Sequence, residues 1–194
     1  MVENDALVQQ FVIRWEAMGG RSYLANGREQ LRRACQHAVG DVIWKQSSKG
    51  APYTVVYWNN PDVPDLDWSA IDSEGVKVTW VPWANTGEIR QITAGSFLGV
   101  TGCAWAASST GSVALYSAPE TGLLPSVLTP YHLILVPREN LVETVGEGLE
   151  RIPRNPLPPL VKIITGPSMT ADIEGILVTG VHGPGQVIAV IYEV

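Results

Sequence analysis

Residues 187–192 read VIAVIY, and two comparable apolar runs stand upstream, LILV at 133–136 and VKIIT at 161–165. A strand with one wet face alternates apolar and polar residues. These runs are continuous instead, which implies strands covered on both faces, as in a mainly parallel α/β sheet. LILV and VKIIT are therefore expected as interior strands, and QVIAVIYEV, 186–194, as the closing strand. The stretch between VKIIT and that closing strand, ITGPSMTADIEGILVTGVHGPG at 164–185, is too broken for one helix and too polar for a core strand.

The rest of the chain fits one α/β domain over 1–194, a Rossmann-like three-layer sandwich with a mainly parallel sheet. NDALVQQFVIRWEAM places Leu7, Phe11, Trp15 and Met18 at helical spacing, with Asn4 or Asp5 as cap and Gly19–Gly20 as stop. A second helix is expected in NGREQLRRACQHAVG, with Leu31, Ala34, Cys35 and Ala38 on one face, capped by Asn26 and stopped by Gly40. These N-terminal helices, about residues 4–40, pack onto the domain. DVIWK, YTVVYW and VKVTWVPW read as short strands, and the polar loop 59–75 holds one helical turn. A short helix from about Gly87 runs into a strand. GCAWAASSTGSVALYS reads as two strands joined by the turn Ser109–Thr110–Gly111, and RENLVETVGEGLERI as a helix with Leu141, Val145 and Leu149 on one face. PRNPLPPL is a stiff connector.

Composition narrows the function. Hydrophobic residues make up 45% and charged residues 16% of the 194, enough apolar surface for a sizeable core. Net charge is −6 and the longest basic run is Arg32–Arg33, which disfavours nucleic acid as a partner. No apolar run reaches membrane-spanning length, so no transmembrane segment is expected. Cys35 and Cys103 are far apart and, with three dispersed His, cannot close a usual zinc or iron–sulfur site, so no metal is expected on this chain. Unpaired thiols and an N-terminus without an apolar signal core fit the cytoplasm.

Four segments could carry chemistry. In TGPSMTADIEG, Gly166 lets the backbone turn and Pro167 stiffens it, while Thr165, Ser168 and Thr170 offer hydroxyls. If TADIEG opens a helix, its N–H groups form an anion-binding nest. The plainer reading is an ordinary N-cap by Ser168 or Thr170. Asp172 bonds neighbouring backbone or faces a cleft; two positions from Glu174 it is a poor partner for acid–base work. In GVHGPG, His182 precedes Gly183 in a tight loop, where it acts as acid, base or ligand or is held by the loop's own carbonyls. In GVTGCAWAASSTGS, the turn Thr110–Gly111 is crowded by serines, and Cys103 reads as a buried, inert thiol. His132, at the mouth of LILV, reads as structural.

Taken in order, GVTGCAWAASSTGSVAL, TPYHLILVP and ITGPSMTADIEGILVTGVHGPG resemble the lactate-utilisation (LUD) domain family, the last matching its ITGPS-x-TADIE…GVHGP signature. The resemblance implies a fold similar to the sugar-phosphate isomerase and CoA-transferase (NagB/RpiA/CoA transferase-like) superfamily. It implies a part in bacterial L-lactate oxidation to pyruvate beside iron–sulfur oxidoreductase subunits, which carry the clusters while this chain binds no cofactor. The loops of these segments are expected to hold a small anionic ligand on Thr165, Gly166, Ser168, Thr170, Asp172, His182, Gly183, Thr110 and Gly111, with no catalytic residue assigned. Alternatives are a stand-alone isomerase- or transferase-like enzyme, or a binding module with a decayed site. Ala104 and Ser109 stand where the family pattern has acids, which weakens any covalent acyl-transfer reading.

Overall fold

The computed structural model describes residues 2–45, 53–60, 62–71, 76–173 and 176–194. The described elements are α1 (Val2–Ala17), β1 (Arg21–Asn26), α2 (Arg28–Lys45), β2 (Tyr53–Tyr57), β3 (Val78–Pro82), α3 (Ile89–Gly95), β4 (Leu98–Thr101), β5 (Trp105–Ala107), β6 (Ser112–Tyr116), β7 (Tyr131–Pro137), β8 (Leu141–Val142), α4 (Val145–Glu150), β9 (Val161–Ile164), β10 (Met169–Ile173), β11 (Ile176–Thr179) and β12 (Gln186–Glu193).

Six strands form one sheet in the order β1-β12-β7-β4-β2-β3, every neighbouring pair parallel. The runs that announced it sit at its middle: β12 and β7 align over seven pairs, from Gln186↔Tyr131 to Tyr192↔Pro137. Leu133–Val136 and Val187–Ile191 are fully buried, as strands covered on both faces must be. The α/β class read from these runs is the observed one.

A second, four-stranded sheet, β8-β5-β6-β9, lies over the first. Its strands divide their side chains by the two-residue period. Ala106, Val113, Leu115 and Ile164 join the main core, while Trp105, Ala107, Ala114 and Val142 form a smaller cluster with Tyr116 and Val145. Gly148 of α4 lies flat on Trp105, where a Cβ would come within 2.4 Å of the indole. A two-stranded antiparallel hairpin, β10-β11, completes the strands.

The placement of VKIIT is corrected. It is β9, an edge strand of the small sheet, antiparallel to β6 and outside the parallel sheet. Ile163 points outward at 42% exposure while Ile164 is buried. An apolar run of five residues reports burial poorly when one side chain is Lys, and Lys162 turns inward to a specific partner described below.

Other boundaries also move. Gly40 does not stop the second helix: α2 continues through DVIWK to Lys45. The stripe Leu31, Cys35, Ala38, Val42 stays buried across Gly40, which outweighs the roughly 1 kcal/mol that a helical glycine costs. The strand Arg21–Asn26 stands where only helices and a turn were expected. Asn26 ends that strand, and its N–H donates to Gln30 Oε1 at 3.0 Å. Neither Asn4 nor Asp5 caps α1, which already begins at Val2. Asp5 instead pairs with Arg138 at 3.1 Å. RENLVETVGEGLERI is no single helix: Leu141 and Val142 pair with Ala106 and Ala107 of β5. Thr144 then caps the short α4 by accepting from the Glu147 N–H at 3.2 Å.

Two predictions follow from this packing. A Cβ on Gly99 would sit 2.1 Å from the Pro125 carbonyl oxygen, so Gly99→Ala should lower the unfolding free energy by about 1–3 kcal/mol in urea titrations. Cys35 and Cys103 are both buried, and burial pushes the Cys35 thiol up to about 12 and raises that of Cys103 as well. Ellman's reagent should label neither thiol in the native chain and both in urea.

Candidate functional site

The loops singled out in the sequence meet at one place. Ser168 donates its N–H to the Pro184 carbonyl at 2.9 Å, and its own carbonyl accepts from the Gly180 N–H at 2.8 Å. A Cβ on Gly183 would lie 3.3 Å from the Ser168 Cβ, so GPS and HGP are in side-by-side contact. Gly166 has φ +80°, and a Cβ there would lie 2.3 Å from the Met18 carbonyl oxygen. Gly is thus required twice over, by conformation and by contact.

A line of hydroxyls leads into this junction from the 109–111 turn. Thr110 Oγ1 lies 2.8 Å from Ser112 Oγ, which lies 2.7 Å from Thr165 Oγ1. Thr110 is exposed, Ser112 buried and Thr165 half-buried. Gly111, with φ +66°, packs against the backbone of Arg14 and Trp15 near the end of α1. Thr165, Gly166, Ser168, Gly183, Thr110 and Gly111 therefore gather around the carboxyl end of α1. His182 is exposed beside Gly183, and Thr170 is half-buried on β10 opposite Val178. Asp172 falls on β10, but its side chain lies outside the described residues, as does Glu174.

Two supports for the anion nest are corrected. TADIEG does not open a helix: Met169–Ile173 is the strand β10, paired with β11. The Ser168 backbone groups are spent on Pro184 and Gly180, so the chain leaves the loop extended. The junction also lies at the amino edge of the parallel sheet. Gly185 donates to the Pro130 carbonyl just before β7, and Met18 and Gly19 immediately precede β1. The carboxyl edge, where such sheets ordinarily bind ligands, is on the opposite side.

Between the two sheets the structure assembles a polar cluster that the sequence showed only in fragments. His132 is fully buried, with Nε2 2.9 Å from Thr101 Oγ1 and, among the described residues, no partner for Nδ1. Lys162 donates to the Ser126 carbonyl at 2.5 Å and to its hydroxyl at 3.1 Å. Burial, and then the Lys162 charge, hold the imidazole well below its ordinary value. Burial lowers the Lys162 ammonium to about 8. The lone cation inside VKIIT was the available signal, since a buried Lys needs acceptors. Ala104 and Ser109, standing for the expected acids, are both half-buried, and their N–H groups bond Ala114 and Glu143 carbonyls.

The LUD domain model matches residues 8–192. The chain belongs to the LUD domain family. Among similar proteins, "Uncharacterized protein YkgG" of Escherichia coli K12 is 33% identical over 121 residues, 60% of this chain and 52% of that protein. "Lactate utilization protein C" of Halalkalibacterium halodurans is 27% identical over 166 residues, 81% of this chain and 69% of its own length. The protein of the same name from Bacillus subtilis is 34% identical over 125 residues, 61% of this chain and 50% of its own. This LUD chain thus spans about half the length of two of these relatives. A crystal structure of a DUF162-family protein from Deinococcus radiodurans superposes with a TM-score of 0.66, covering 98% of both chains at 20% identity, and so shares the fold. Among the described residues, no helix is long and apolar enough to cross a membrane.

Both groups are depressed in the fold, so both predict stability that rises with pH, in separate windows. Folded His132 stays neutral, whereas the unfolded chain protonates it below its ordinary 6.5. The unfolded state then holds more protons, so stability falls as pH drops below 6.5. His132→Gln should flatten that part of the profile. Lys162 is depressed from 10.5 to about 8. The wild type should therefore gain stability relative to Lys162→Met as pH rises through that window. Urea titrations across pH check both.

Proposed function

We propose that this LUD domain serves as an accessory component of a lactate-utilisation system, acting in the cytoplasm beside iron–sulfur oxidoreductase subunits and binding a small carboxylate or phosphate at the amino-edge junction. The observation that carries the reading is the family match across residues 8–192, with relatives named for lactate utilisation. The junction is the part of the chain best suited to the ligand. Two signature loops are locked together through Ser168, and the Thr110–Ser112–Thr165 hydroxyls offer donors beside them. Redox chemistry is assigned to the partners, and this chain positions the small molecule or the assembly.

Calorimetric titration of lactate, pyruvate, phosphate and a sugar phosphate tests the ligand. Ser168→Ala should weaken binding by roughly fivefold, the loss of one hydrogen bond of about 1 kcal/mol. Gly166→Val should abolish it, because its side chain overlaps the Met18 carbonyl and displaces the whole loop. Binding of no anion at millimolar concentration, or unchanged binding by both variants, overturns the ligand assignment. Affinity purification from a lactate-grown bacterium that encodes the chain tests the role. Recovery of cluster-bearing subunits supports it, whereas turnover of a sugar phosphate or acyl-CoA by the chain alone overturns it.

A further inference from the structure

The parallel sheet changes direction between β2 and β4. From β2 the chain moves outward to β3, the edge strand, whereas from β4 it moves the other way, to β7. Loops leaving adjacent strands in opposite directions open a crevice above their carboxyl ends, the general ligand position in open α/β sheets. Here the segment after β2 stands over that point. The Trp58 N–H donates to the Val100 carbonyl at 3.0 Å. Gly102, just past β4, lies so close to the loop that a Cβ would be 2.4 Å from the Asp62 carbonyl oxygen. The Trp58 indole is tied down to the Gly122 carbonyl at 3.0 Å.

A cleft of about 290 Å³ opens in this segment, walled by Tyr57, Trp58, Val63 and Trp68 with Asn60 and Asp65. Its charge is one-sided, since among the described residues Asp65 is the one formally charged residue on the wall. Asn60 donates its amide to Asp62 at 2.9 Å, which leaves Oδ1 buried and, among the described residues, without a partner. Asp65 spends Oδ1 on the Asp67 N–H at 3.2 Å. Arg28, the nearby cation, is engaged with the Asp65 backbone carbonyl. Tyr57 and Trp68 present ring surface held by mutual packing, with centroids 5.5 Å apart. Burial and the Asp65 charge keep the Tyr57 phenol protonated beyond its ordinary range. The cleft therefore offers aromatic faces, spare acceptors and negative charge and, among the described residues on its wall, no cation for a carboxylate or phosphate.

We propose that this switch-point cleft is a second ligand site, separate from the amino-edge junction, that takes a small organic ammonium ion. The ammonium sits against the Tyr57 and Trp68 rings and donates to Asp65 and Asn60 Oδ1. Aromatic faces attract cations, the more so when water is excluded, and the chain's net charge of −6 favours their approach. The site does not depend on the lactate-related reading, since lactate is an anion and the junction lies on the opposite edge of the sheet.

An NMR titration of the full chain with ethanolamine and putrescine as probes tests the proposal, with glucose and lactate for comparison. The ammonium probes should shift the Trp58 and Trp68 indole signals and the amides around Asn60 and Asp65, with Kd on the order of 1 mM. Asp65→Asn preserves the acceptor for the Asp67 N–H and should weaken binding about five- to tenfold. Added salt should weaken binding to the unaltered chain, a readout that needs no variant. Ser168→Ala should leave ethanolamine and putrescine binding unchanged, which separates this site from the junction. The proposal is overturned if neither ammonium probe moves these signals, or if glucose or lactate moves them equally well. It is likewise overturned by undiminished binding in folded Asp65→Asn or by salt-insensitive binding.

Discussion

The parallel ladder between β7 and β12 is the constraint on which the molecule is arranged. Its two strands place Leu133–Val136 beside Val187–Ile191, and none of these side chains touches water. A strand buried on both faces requires cover on both, and the rest of the fold supplies it. Helix α2 lies against β1 and β12, while the small sheet contributes Val113, Leu115 and Ile164 to the same core. Burying each large aliphatic side chain contributes about 1.5–3 kcal/mol, so this central pair is where folding gains most per residue.

Covering a sheet with a second sheet brings backbones close, and the chain meets that demand with small residues where side chains would collide. Gly99 lies under the Pro125 carbonyl, Gly148 under Trp105, and Gly166 under Met18. The same closeness makes the polar interior possible. Lys162 of the small sheet can reach Ser126 before β7, while His132 reaches Thr101 across the β7–β4 pair within the parallel sheet itself. The two edges of the parallel sheet then acquire different characters. The amino edge is rich in Gly, Pro and hydroxyls, and the carboxyl edge in Trp, Asn and Asp.

The fold class was readable because continuous aliphatic runs have few alternatives to a buried parallel strand. Run length was less informative about position. LILV and VIAVIY lie at the centre, but VKIIT, nearly as apolar, lies at an edge, where its odd residue Lys162 makes the decisive contact. Gly40 misled in the opposite way: a local stop signal lost to a buried stripe that continued beyond it. At the junction, the sequence identified loops that do meet, yet their chemistry depends on whether TADIEG is helix or strand. That choice is made by pairing with β11 and by the hydrogen bonds of Ser168 to Pro184 and Gly180, none of which is a local property. The carboxyl-edge cleft escaped notice because it depends on strand order, which residues alone do not display.

The pairing of β1 with β12 has a consequence for how the molecule is made. Residues 21–26 find their ladder partner only in residues 188–193, and the Gly27 N–H closes onto the Glu193 carbonyl. During synthesis β1 emerges well before β12, its one partner in the parallel sheet among the described strands. Contacts between such distant segments form slowly, because a long loop must close before any of them is gained. Until β12 has been made, the apolar stripe of α2 therefore lacks the β1–β12 surface it covers in the finished fold.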